Sequence, residues 1–131
     1  MRKRFIPFSI LLICSSLVLS ACSLIMATTG AALGAGVYGY FQGDLKASEP
    51  VSLPVAWKAS RKTLDELGFK TLSEEIRPLH RKIIAESYDH EEVVIRLEEQ
   101  TRNVTSFRIR VGPVGNEDVA VLIFEHIKKN F

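Results

Sequence analysis

Residues 93–111, VVIRLEEQTRNVTSFRIRV, carry two runs in which apolar and polar side chains alternate. Val93, Ile95 and Leu97 alternate with Val94, Arg96 and Glu98; Phe107, Ile109 and Val111 alternate with Arg108 and Arg110. A period of two means one buried face and one wet face, the pattern of an antiparallel sheet. Gln100 to Asn103 reads as the connection, a four-residue hairpin loop of common length. Two registers are open. One sets Leu97 opposite Phe107 and Ile95 opposite Ile109, so that Arg96 faces Arg108 on the wet side and Arg110 lies beside Val94. A two-residue shift pairs Glu98 with Arg108 instead. Like charges directly opposite are destabilising, so in the first register Arg96, Arg108 and Arg110 form a candidate surface for a protein or an anionic partner. The competing reading is a solvated face whose charge Glu86, Glu98 or Glu99 balances.

The flanks extend the sheet and add helices. Gly43 to Pro50 reads as a short strand, with Leu45 and Ala47 on one side and Asp44, Lys46 and Ser48 on the other. Pro54 suits the first turn of a helix. Beyond it Lys58, Arg61, Lys62, Asp65 and Glu66 recur at helical spacing opposite Ala56, Ala59, Ser60, Thr63, Leu64 and Leu67. Gly68 stops this helix. Phe69 to Ser73 is a predicted strand, Pro78 interrupts, His80 to Ser87 resumes, and Tyr88-Asp89-His90-Glu91 turns into the hairpin. Gly112-Pro113-Val114-Gly115 ends the sheet. Asn116 is a predicted N-cap with Glu117 and Asp118 in the first turn, and Lys128 and Lys129 close the last turn with the favourable sign. Val119, Leu122, Ile123, His126 and Ile127 are expected to line its buried side. The expected fold is α+β: an antiparallel sheet of about five strands with two helices packed on one face, over residues 43–131. A domain of this size builds one small core.

Upstream, Arg2-Lys3-Arg4 precedes an uncharged, mostly apolar run from Phe5 to Leu19, which ends in Leu19-Ser20-Ala21-Cys22. A positive start, an apolar middle and small residues at the cut describe a secretory signal. An uncleaved span needs about 20 apolar residues; this run is short and is broken by Pro7 and serines. Leucine, serine, alanine and cysteine in that order resemble the lipobox of bacterial lipoproteins. That resemblance implies diacylation of Cys22, cleavage after Ala21, and three segments: a signal over 1–21, a lipidated Cys22 with a Gly/Ala-rich tether over 22–42, and the domain over 43–131. The chain holds 17 basic and 15 acidic residues, net +2, but three of the basic residues lie in the signal. The expected mature chain carries 14 basic and 15 acidic side chains, so its composition does not call for nucleic acid. Cys14 leaves with the signal and Cys22 becomes a thioether, leaving no thiol for a disulfide, a metal or a nucleophile.

Residues 22–43 hold no charge. As a linker, their glycines keep the backbone loose. As a helix, Ala27, Ala31, Ala35, Gly39 and Gly43 make one small-residue face, with Gly30 and Gly34 as a GxxxG pair, and self-association follows. Each glycine costs a water-exposed helix about 1 kcal/mol relative to alanine, which weighs toward the tether.

Candidate chemistry is sparse. His80, His90 and His126 lack the short fixed spacing of a metal site. The pairs Asp65-Glu66, Glu74-Glu75, Glu91-Glu92, Glu98-Glu99 and Glu117-Asp118 are adjacent, and adjacent side chains point apart, whereas acid–base work needs two groups facing one substrate. No nucleophile elbow, P-loop or nucleotide fingerprint is present. No catalytic residue, cofactor or metal is expected.

The Leu19–Cys22 box, the Gly/Ala run, the YGYFQGDLKA entry, the KASRKTLDELGF helix and the TSFRIRVGPVGNEDVAVLIFEHIKKNF ending together resemble a family of small bacterial envelope lipoproteins of uncharacterised function. The resemblance implies an exported α+β domain held to the membrane through acyl chains on Cys22, and no catalytic residue. The expected function is a non-enzymatic envelope lipoprotein with a partner-binding or structural domain in the periplasm. Ser23, rather than aspartate, implies the outer membrane over the inner. The alternatives are a small-ligand module with a pocket near Trp57, Tyr88 and Phe107, and an enzyme that brings two of His80, His90, Glu86 and Glu125 into one cleft.

Overall fold

The computed structural model describes residues 38–131; the expected signal over 1–21, Cys22 and the tether up to residue 37 lie outside the described residues. The elements run β1 (Gly39–Phe41), β2 (Asp44–Glu49), α1 (Leu53–Glu66), β3 (Lys70–Ile76), β4 (His80–Glu86), β5 (Glu92–Thr101), β6 (Val104–Val111) and α2 (Glu117–Lys129). The strands form one antiparallel sheet of order β1-β2-β6-β5-β4-β3. The fold is α+β as expected, with six strands rather than about five. The added strand is β1, which precedes position 43. Its composition reads as tether, yet Tyr40 pairs with Leu45 and packs on the core. Gln42 (φ 54°) and Gly43 (φ 82°) form a two-residue turn with both φ positive, the type whose twist matches a hairpin.

The hairpin adopts the first of the two registers. Leu97 lies opposite Phe107, Ile95 opposite Ile109, Arg96 opposite Arg108 and Val94 opposite Arg110. Its connection is tighter than the four-residue loop: Thr101 pairs with Val104, and the ladder shifts between Glu99 and Thr101. That irregularity takes up a residue, so the strands keep their inward faces while Arg102-Asn103 makes the turn.

The inward face carries Leu45, Ala47, Ile83, Ala85, Val93, Ile95, Leu97, Phe107, Ile109 and Val111, all buried. Both helices cover it and touch each other. α1 buries Leu53, Ala56, Trp57, Ala59, Ser60, Thr63 and Leu64, close to the expected stripe. It ends where Gly68 (φ 71°) takes the left-handed conformation. The Gly68 N–H donates to the Asp65 carbonyl at 3.1 Å and the Phe69 N–H to the Leu64 carbonyl at 2.9 Å, the paired bonds of a Schellman cap. Asn116 caps α2, its side chain accepting from the Val119 N–H at 3.3 Å.

The buried side of α2 differs from expectation. Ala120, Ile123, Phe124 and Ile127 face the core, while Leu122 is exposed and His126 half-buried. The helix is turned by about one residue step, about 100°. Phe124 is the reason: its ring meets Phe107 edge-on at 5.6 Å between centroids. Past the helix end, the Asn130 Nδ2 donates to Thr63 Oγ1 at 3.0 Å and Glu66 Oε2 at 2.9 Å, tying α2 to α1. That bond is the main cause holding the Glu66 carboxyl below its ordinary range. At the far edge, all seven residues of β3 are exposed. Among the described residues no helix is long and apolar enough to cross a membrane.

The Glu49 carboxylate is buried on the inward face, in line with Leu45 and Ala47. Glu49 is 8% exposed, and its Oε1 lacks a hydrogen-bond partner. Burial pushes its carboxyl above the usual range; Lys128 opposes this and Glu125 adds to it. The folded chain therefore holds this proton to higher pH than the unfolded chain does. As pH rises from the ordinary value through the raised one, the folded state loses ground. Glu49→Gln should be more stable than the wild type at neutral pH, by under about 1 kcal/mol, since Lys128 offsets part of the burial. The gap should close in acid. Urea midpoints across pH measure it, and a variant less stable than the wild type at neutral pH would refute it.

Candidate functional site

The face of the sheet turned away from the helices carries the polar half of each alternation. Strand order and register together place Lys82 of β4 opposite Arg96 of β5, Arg96 opposite Arg108 of β6, and Arg108 opposite Lys46 of β2. Four cations thus form one row across four adjacent strands. At about 4.8 Å per strand the row is about 14 Å long. Lys46, Arg96 and Arg108 are exposed and Lys82 half-buried. Among the described residues none of the four is in an ion pair. Glu75 of β3 lies opposite Lys82, but its carboxylate binds Arg77 Nη2 at 2.6 Å.

Arg110 shares this face and has a different job. Its Nε donates to Asp44 Oδ1 at 2.6 Å, its Nη2 to the Gln42 carbonyl at 2.7 Å and its Nη1 to the Pro113 carbonyl at 3.3 Å. The guanidinium clasps the β1–β2 turn to the loop after β6. Of the three arginines singled out from the sequence, Arg96 and Arg108 keep free guanidiniums and Arg110 is engaged in holding the fold. Lys46 and Lys82 were missed. Their alternation put them on a wet face, but only the strand order reveals that they continue the arginine row.

Beside this row the face sinks into a depression of about 320 Å³. Lys82, Arg96 and Arg108 border it together with Glu98, Ser106 and Arg77. Glu98 lies opposite Ser106 in the neighbouring rank of side chains on the same face. The His80 Nδ1 is 3.9 Å from Glu98 Oε1, beyond a hydrogen bond. Glu98 therefore keeps its acceptor oxygens for another group. Arg81 also borders the depression, with its guanidinium carbon 5.5 Å from the Trp57 ring centroid and a buried Nε that has no partner.

Of the other sequence candidates, His80 borders the depression, while His90 and Glu86 meet outside it. His90 Nδ1 lies 2.9 Å from Glu86 Oε1, but on an exposed turn. His126 Nδ1 donates to the Leu122 carbonyl at 3.0 Å, and Glu125 pairs with Lys128 at 2.7 Å. Trp57, Tyr88 and Phe107 do not surround a pocket: Phe107 is fully buried in the core, while Tyr88 is 78% exposed with its hydroxyl against Gly68. Among the described residues no group of three or more His, Cys, Asp or Glu is arranged to hold a metal.

Compared with known families, residues 6–130 match the one described as Protein of unknown function (DUF3568). No curated protein matches the chain.

Proposed function

The chain belongs to the DUF3568 family, and we propose that it is a lipid-anchored protein of the bacterial cell envelope whose small α+β domain binds a partner and performs no catalysis. The observation that carries the anchor is the ordered Leu19-Ser20-Ala21-Cys22 behind an apolar run with a basic start. The family match begins at residue 6, so Cys22 and all of the apolar run except Phe5 lie within the matched residues. In this reading the Cys22 sulfur gives up its proton and displaces the headgroup phosphate from the diacylglyceryl carbon of a phospholipid, so that a C–S thioether bond replaces the C–O bond and the headgroup phosphate leaves. Water then cleaves the Ala21–Cys22 peptide bond. Ser23 directs the product to the outer membrane, facing the periplasm. The binding reading draws support from the asymmetry of the sheet: one face is filled by apolar packing, and the other presents unpaired cations beside a depression.

Intact mass spectrometry of the chain made in a bacterial host tests the anchor. The wild type should lack residues 1–21 and carry acyl mass on Cys22, and it should partition with membranes. Cys22→Ser should retain the full leader mass and gain no acyl chain. A wild-type protein with a free Cys22 thiol and the leader still attached would refute the anchor.

A further inference from the structure

We propose that the depression on the uncovered sheet face binds a phosphorylated polyol, a glycerol phosphate or sugar phosphate group, either free or as the headgroup of a lipid. The proposal rests on the binding-module part of the reading above and is independent of the acyl chains on Cys22.

The row Lys82–Arg96–Arg108–Lys46 sets like charges on directly opposite strand positions, an arrangement that destabilises the empty sheet. An anion held across Arg96 and Arg108 removes that repulsion. Two guanidinium forks side by side match the oxygens of a phosphate, and the ammonium of Lys82 adds a third donor. Arg77 and Arg110 are already committed to Glu75 and Asp44. The anion subsite is therefore Arg96, Arg108 and Lys82.

A bare phosphate does not account for the rest of the depression. At about 320 Å³ it reaches the lower end of small-molecule sites, far more than one phosphate fills. It also contains Glu98 and Ser106 one rank along from the arginines, and residues two apart on a strand lie about 6.8 Å apart. A carboxylate there repels phosphate but accepts hydrogen bonds from hydroxyl groups. One ligand uses both subsites: a phosphate on the arginines with hydroxyls, one polyol unit away, donating to Glu98 and exchanging a bond with Ser106. The mixed signs of the depression select that pairing.

Calorimetric titration of the full chain in neutral-detergent micelles tests the site, with glycerol 3-phosphate, inorganic phosphate and glycerol as probes. Glycerol 3-phosphate should bind about tenfold more tightly than phosphate, and glycerol alone should not bind. The double variant Arg96→Gln, Arg108→Gln should weaken glycerol 3-phosphate by about tenfold or more, the loss of at least one charge-assisted hydrogen bond, while its thermal midpoint does not fall. Glu98→Gln separates the two subsites. It should tighten phosphate, by removing repulsion, and weaken glycerol 3-phosphate, by removing an acceptor. Short-chain phosphatidylglycerol in the same titration assigns the source: binding tighter than glycerol 3-phosphate points to a lipid headgroup, weaker binding to a free metabolite. Glu98→Gln shifting both ligands in the same direction, an arginine variant that binds unchanged, or no binding of any phosphate probe would overturn the proposal. None of these results changes the mass found at Cys22, so site and anchor fail separately.

Discussion

Gly115→Ala is expected to destabilise the domain by about 3 kcal/mol, combining backbone strain of about 1–2 kcal/mol with steric overlap of at least a similar size. Gly115 has φ 95°, a region that side chains with a Cβ rarely enter. A Cβ added there would also overlap the Gly43 backbone and the Tyr40 hydroxyl, and backbone cannot swing aside. Gly43, at φ 82°, faces the Val114 carbonyl in the same way. Here the loop after β6 lies directly on the β1–β2 turn, beside the clasp made by Arg110. Gly112 supplies the control. Its φ of 71° is also positive, but an added Cβ meets nothing closer than Glu91 Oε1 at 3.4 Å. Gly112→Ala should therefore cost only the conformational part, about 1 kcal/mol. Urea unfolding of both variants decides the matter. Equal losses would mean that the close approach of the two backbones is not energetically important. Gly43→Ala combined with Gly115→Ala should cost less than the sum of the two, because the residues touch.

Phe107→Ala should cost about 4 kcal/mol, within the range for deleting a fully buried aromatic ring. Phe107 occupies a central strand with Ala47 and Leu97 on either side, and its ring packs against Phe124 at 5.6 Å and Phe131 at 6.0 Å between centroids. With alanine on one flank, the site can collapse only by drawing α2 inward. Phe107→Leu keeps most of the volume and should lose far less, under about 2 kcal/mol. Set against a total stability of about 5–15 kcal/mol, the alanine variant should be close to unfolding. A loss under about 1.5 kcal/mol, with an unchanged denaturant slope, would mean that the ring is not fixed in a packed core.

Much of this architecture was legible in residue order, and the failures have physical causes. The alternation in 93–111, the Pro54 and Gly68 bounds of α1 and the Asn116 cap of α2 all report local backbone requirements, and each appears as read. β1 was hidden because Gly39-Tyr40-Phe41 satisfies a tether as well as an edge strand; its identity comes from Leu45, across a turn whose positive φ at Gln42 composition does not announce. The buried side of α2 was misjudged because Val119 to Phe124 is apolar all round, leaving no polar stripe to orient it. At the candidate site, Arg96 and Arg108 were visible because they share one hairpin. Lys46 needed the pairing of β2 with the sequence-distant β6, and Lys82 needed the register of β4 on β5. Arg110 looked available because its partners Asp44, Gln42 and Pro113 lie in other segments.

β2 pairs with β6 across most of the domain, Leu45 against Ile109, whereas β3 to β6 form an uninterrupted meander. Contacts distant along the chain close late, because the intervening loop must first lose its freedom. During synthesis, then, the first strands to emerge must wait for the last, and the cationic row reaches its full width only when Arg108 finds Lys46. A chain truncated before residue 104 should stay loose and protease-sensitive, however complete its front half.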